Sequence, residues 1–171
     1  MTRTAAAVLK PVSHDERPDI GLDDAYLATM SEKLSEILAA TYRLTVKSHI
    51  YHWNVVGPLF KPLHELTEEH YNALFAATDV IAERIRALGH LAPATLADAK
   101  NFAPRGGDVS ELNASDMVAD LIHDHSEAVK TMRAAATIAG DAGDVVTEDM
   151  LTAHLTFHEK ALWMLRAIAA T

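Results

Sequence analysis

Apolar side chains recur at three- and four-residue steps along the first third of the chain. Leu27, Met30, Leu34, Ile37, Leu38, Thr41, Leu44 and Thr45 form one stripe, and Ser31, Glu32, Lys33 and Glu36 fill the gaps. That period belongs to an amphipathic helix. It predicts a long first helix from residue 22 to the Gly57-Pro58 pair, which stops a helix and turns the chain. A second helix is predicted from about Leu59 or Pro62 to Leu88, because proline is tolerated only within the first turn and Gly89 suits the position after a helix end. The two make an antiparallel hairpin. The stretch from His90 to Asn113 holds Pro93, Pro104 and Gly106-Gly107 and reads as a connection, with room for a short helix over 96–100. A crossover of that length lets the third helix run parallel to the second. Ser115 and Asp116 open the third helix, which carries Val118, Leu121, Ile122, His125, Val129 and Met132 to Gly140. Residues 140–144, Gly-Asp-Ala-Gly-Asp, break it, and a fourth starts near Thr147 with Leu151, Leu155, His158, Leu162 and Leu165. Residues 1–21 show no stripe and are expected as a flexible arm ahead of an all-α four-helix bundle over 22–171.

Composition narrows the alternatives. A chain of 171 residues fits one domain with one core. Its hydrophobic fraction is 49%, yet only 6% of residues are aromatic, with 7 Gly and 6 Pro, which argues against turn-rich sandwiches and barrels. The 15 Lys and Arg against 24 Asp and Glu give a formal net charge of -9, so the body repels nucleic acid and anionic membrane and suits cations. Without cysteine there is no disulfide, thiolate site or thiol nucleophile. The apolar run 5–9 is too short for a secretion signal and no stretch is long enough to span a bilayer, so the expected location is the cytoplasm.

Candidate chemistry lies in a subset of the ten histidines. His14, His70, His90, His123, His125 and His154 have no spacing that needs a ligand and are read as surface or structural residues. His52 precedes Trp53 at the end of the first helix, and His64 and Glu68, four apart, share a face early in the second. Asp79 and Glu83 form a second such pair on the same helix. Eleven residues separate Glu68 from Asp79, roughly 16 Å along the axis, so one chain cannot bring both pairs into one compact site. His52 and His64 flank the turn at one level of the hairpin, giving a half-site of His52, His64 and Glu68. A second copy of the helix lying antiparallel across the first would place its Asp79 and Glu83 opposite that half-site. Two histidines and three carboxylates suit iron or another first-row divalent metal better than calcium, and zinc is chemically acceptable.

The stretch His52-Trp53-Asn54-Val55-Val56-Gly57-Pro58-Leu59-Phe60, then Leu63-His64-Glu65, then Asp79-Val80-Ile81-Ala82-Glu83-Arg84 and Leu88-Gly89, resembles the signature of the Dps family of miniferritins, as does the closing His158–Arg166 segment. The similarity spans about residues 22–171. It implies a ferritin-like four-helix bundle, assembled as a homo-oligomeric shell of twelve. It further implies ferroxidase centres at two-fold interfaces, where iron(II) is oxidised, preferably by hydrogen peroxide, and the ferric product stored against oxidative damage. The family's ligands fall on His52, His64 and Glu68 of one chain and Asp79 and Glu83 of its mate, with Trp53 beside the centre; His49, one turn before His52, is placed by spacing alone to support that ligand. Glu68 stands where the family often has Asp. Arg84 and Glu159 resemble positions that pair across subunits, and Asp144, Glu148 and Asp149 fit acidic entry pores. The arm is not strongly basic, so DNA contact, and with it nucleoid association, is expected to be weak. No Glu-x-x-His pair is present, which argues against the intra-bundle di-iron site of larger ferritins.

Overall fold

The computed structural model describes residues 12–93 and 108–170. Among these there are four α-helices and no strand: α1 (Asp24–Asn54), α2 (Phe60–Ala87), α3 (Ala114–Asp141) and α4 (Val145–Ala169), with one 3₁₀ turn at Val109–Glu111. Helices α1 and α2 pack along their lengths as one hairpin and α3 and α4 as another, and α1 against α3 joins the halves. The short helix expected over 96–100 falls outside the described residues, as do residues 1–11.

Three of the four helices begin where a side chain can satisfy their orphan amide groups, and α2, which follows Leu59, has no such cap. Asp23 caps α1 by accepting from the Ala25 and Tyr26 amides, and Asp144 caps α4 through Thr147. Asn113 and Asp116 form a reciprocal capping box, so α3 starts at Ala114, one residue before the expected Ser115. Helix α4 likewise starts at Val145, two residues ahead of Thr147, because Asp144 supplies the cap.

The segment expected to be a free arm is tied down over its described part. The Glu16 amide donates to the Gly89 carbonyl at 2.6 Å, and the Leu91 amide donates to Asp15 at 3.0 Å. The chain end of α2 offers backbone groups that no further helical turn can use, and the arm takes them. Gly89 is obligatory here: its φ is +93°, and a Cβ would lie 2.3 Å from the Glu16 carbonyl oxygen.

Two apolar cores fill the bundle. One gathers Met30, Leu34, Ile37, Ile81, Ile85, Met132 and Leu151; the other gathers Leu44, Tyr51, Leu63, Leu74, Leu121 and Leu165. Between them, side chains from every helix make a polar layer. Lys47 is buried there and pairs with Asp120 at 3.0 Å and Asp124 at 2.5 Å, while the Tyr51 hydroxyl donates to Asp120. Such a pair is held because each charge would be uncompensated without the other.

Candidate metal centre

His52 and His64 meet across the α1–α2 turn. Their rings stack with centroids 3.7 Å apart. The Nδ1–H of His52 donates to the His64 carbonyl and the Nδ1–H of His64 donates to the His52 carbonyl, each at 2.8 Å. The reason is local. His52 lies in the last turn of α1, whose carbonyls have no helical partner, so a neighbouring imidazole can satisfy one. The consequence is chemical: with Nδ1 protonated on both rings, each Nε2 carries its lone pair and is a ready ligand.

Aromatic rings frame this pair. Phe60 stacks on His64 at 5.1 Å, Tyr71 meets His52 edge-on at 5.3 Å, and His49 lies between Tyr71, at 4.0 Å, and Trp53, at 4.4 Å. The sequence reading named His49 and Trp53 but missed Tyr71. The available signal was its place one heptad after His64, on the same stripe of α2.

Glu68, Asp79 and Glu83 are exposed on α2, and Asp79 lines a surface cleft with Leu38, Tyr42, Phe75 and Ala82. Among the described residues no three His, Asp or Glu side chains gather in one chain to hold a metal ion. The structure therefore brings together His52 and His64, and it leaves the carboxylates exposed along α2, where Phe60, Phe75 and Val80 are exposed as well, as is Trp53 near the end of α1.

Three of the residues expected at pores or subunit contacts have partners within one chain. Asp144 is buried, accepting from the Tyr26 hydroxyl at 2.8 Å, from Thr147, and from the Arg84 guanidinium at 2.7 Å. Burial alone would raise its pKa, but hydrogen bonds from Thr147, Arg84 and Tyr26 pull it below the ordinary carboxylate value. Arg84 is thus used within its own chain, joining α2 to α4. Glu159 is too, paired with Arg133. Glu148 is half-buried and lies over Gly140, while Asp149 is exposed.

Histidines read as surface or structural divide. His14 is exposed, His90 half-buried beside Asp15; His70 and His125 are buried in the polar layer with His158, and His154 adjoins it. Burial pulls His70 down to about 4, with Lys160 adding to it, and His158 to about 4, with His154 and His70 adding. His125 falls well below the ordinary histidine value through burial first and its neighbours His158 and His70 second.

The likenesses agree with the fold. A family model described as a ferritin-like domain matches residues 31–171. The chain is 38% identical over 124 residues to the DNA protection during starvation protein of Brevibacillus brevis, covering 72% of this chain and 83% of that protein. It is 33% identical over 148 residues to DNA protection during starvation protein 1 of Deinococcus radiodurans, covering 86% and 72%. The solved structure of a Dps protein from Bacillus brevis superposes with a TM-score of 0.76 at 34% identity, over 85% of this chain and 98% of that one.

Proposed function

Since this chain belongs to the Dps family of ferritin-like proteins, we propose that it is a ferroxidase that oxidises iron(II) with hydrogen peroxide at sites shared between two copies of the chain. The ferric product is stored inside a closed homo-oligomeric shell, twelve subunits in the family pattern. The observation that carries the reading is the reciprocal bond between His52 and His64. It fixes both rings with Nε2 available, as imidazole ligands to a metal require.

Each chain then supplies His52, His64 and Glu68 to one centre and Asp79 and Glu83 to another. The roughly 16 Å axial gap between Glu68 and Asp79 supports this division, because a two-fold mate closes it and a single chain does not. The exposed Phe60 and Phe75, on the α2 stripe that carries Glu68 and Asp79, give that mate an apolar surface to cover. Iron(II) is substrate here. Two iron(II) ions each give one electron to a peroxide, its O–O bond breaks, and hydrolysis of the ferric product releases protons. His52 and His64 hold the ions while the carboxylates neutralise the charge that rises on oxidation. Glu148 and Asp149 draw cations toward the entry route, a smaller set than the three acids first expected. With a net charge of -9 the body itself does not hold duplex DNA tightly at physiological salt.

The test is subunit mixing. His52→Ala and Glu83→Ala each leave every centre short of one ligand, and each protein alone is a poor ferroxidase. Unfolded together in equal amounts and reassembled at random, about half of the dimers are mixed, and each mixed dimer has one centre with both lesions and one with none. About a quarter of the centres regain peroxide-dependent iron(II) oxidation. Recovery near zero in properly mixed assemblies, verified by mass spectrometry, rejects the shared site.

A further inference from the structure

The histidine pair is bordered by rings that the ligand set does not account for. Tyr71 lies on the same stripe of α2 as His64, two turns further along. It meets the His52 ring edge-on at 5.3 Å and stacks on His49 at 4.0 Å, with those two planes 20° apart. Trp53 lies beyond, against His49 at 4.4 Å. Among the described residues the rings that touch the pair from outside are His49, Tyr71 and Phe60, and of these the phenol gives up an electron most readily. Electron tunnelling falls steeply with distance, so ring contact decides which donor answers first. Tyr71 has that contact with His52, whereas Trp53 is joined to the pair through His49. Tyr71 is also half-buried, which keeps its ring packed and within reach of water.

We infer that Tyr71 supplies the second electron to hydrogen peroxide when a centre holds a single iron(II) ion. The inference rests on the ferroxidase reading above and extends it to a part-filled centre. Two ions give a peroxide both electrons it needs, but one ion gives only one, and the O–O bond then breaks to hydroxide and a hydroxyl radical. Tyr71 closes that gap. Its phenol loses one electron by way of the His52 ring and one proton to water, while the iron(II) loses the other electron. Peroxide takes both electrons and two protons from water, its O–O bond breaks, and two water molecules leave. What remains is iron(III) and a neutral tyrosyl radical. A later iron(II) ion returns an electron, and water a proton, so the phenol is restored. Phe60, which stacks on His64, has no hydroxyl and cannot take this part.

The experiment loads metal-free assembled protein, without oxygen, with one iron(II) per centre, adds one equivalent of hydrogen peroxide and freezes the mixture within milliseconds for electron paramagnetic resonance. A free-radical signal is expected. It narrows in protein grown with ring-deuterated tyrosine and is unchanged with ring-deuterated tryptophan. Tyr71→Phe loses that signal and raises the yield of hydroxyl radical captured by a spin trap, whereas Trp53→Phe keeps the signal. A signal that survives Tyr71→Phe, or that narrows with labelled tryptophan instead, overturns the inference. Particle size and the absorption of Co²⁺ bound at the histidine pair check that Tyr71→Phe keeps its assembly and its centre. If it does not, 3-fluorotyrosine in place of Tyr71, nearly the same in shape, decides alone: fluorine splitting of the signal supports the assignment and its absence overturns it. Iron(II) oxidised by peroxide with no tyrosyl signal rejects this inference and leaves the ferroxidase reading standing. No oxidation by peroxide in the unaltered protein rejects that reading and this inference with it.

Discussion

One bundle holds two groups of imidazoles built on opposite terms. At the hairpin end, His52 and His64 are half-buried and each gives its Nδ1–H to a backbone carbonyl, which fixes the ring and leaves Nε2 free. Midway down, His70, His125 and His158 are buried and His154 adjoins them, and three of their nitrogens have no partner. In the first group burial and bonding are matched, so the rings are organised for chemistry at little cost to the fold. The second group sits in surroundings that disfavour charge, and its state is coupled to the stability of the whole bundle.

The largest expected consequence of that contrast is in acid. His70 and His158 are held near 4 in the fold, against 6.5 for an ordinary histidine. Folded values lie below unfolded ones, so as pH falls the unfolded chain takes up protons first. Stability is therefore fully present above about pH 6.5 and is withdrawn as pH falls toward 4. Each such histidine accounts for up to about 3 kcal/mol over that span. Urea unfolding of metal-free protein at pH 7 and pH 4.5 measures this directly. A flat profile would mean that the inner imidazoles are neither dry nor neutral, and the contrast with the outer pair would disappear.

A smaller effect separates a hydrogen-bonded pair from its two members. His158→Leu removes the partner of the His125 Nδ1 and buries that nitrogen unsatisfied, which costs about 1–3 kcal/mol at pH 7. His125→Leu/His158→Leu removes both groups at once, and replacing a buried polar pair by apolar side chains is close to neutral. The double variant should thus unfold at higher urea than the single one. If the two losses add, the pair is not coupled and water already serves each ring.

The sequence made the outer group legible because its signals are local. The i, i+4 spacing, the Gly57-Pro58 turn and the helical period suffice to place His52 and His64 at one level, and the four helices follow from the same stripes. Helix starts slipped by a residue or two because Asn113 and Asp144, polar residues ahead of the apolar run, act as caps. The inner group was missed for a different reason. His125 and His158 occupy apolar stripe positions, so their burial could be read from the period, but their meeting depends on how α3 packs on α4. Spacing within one helix carries no such information. The partners of Asp144 and Arg84 were missed likewise: only the fold brings Tyr26, Arg84 and Thr147 around that carboxylate.

The smallest effect is optical, and it gives the outer group a reporter. The chain has 2 tryptophans, Trp53 and Trp163, both well exposed. Trp53 lies 4.4 Å from His49, whose ring is 6.2 Å from His52, so an ion held by His52 and His64 is within a few side chains of its indole. Paramagnetic Co²⁺ bound there should partly quench the emission of Trp53. Trp163 is on α4, five residues beyond His158, and has no ring contact with either histidine of the outer pair among the described residues. Trp53→Phe should therefore abolish the quenching that His52→Ala also abolishes, leaving the emission of Trp163 in place. Quenching that survives both His52→Ala and Trp53→Phe would mean that the ion is held away from the outer pair, and the division drawn between the two groups would fail.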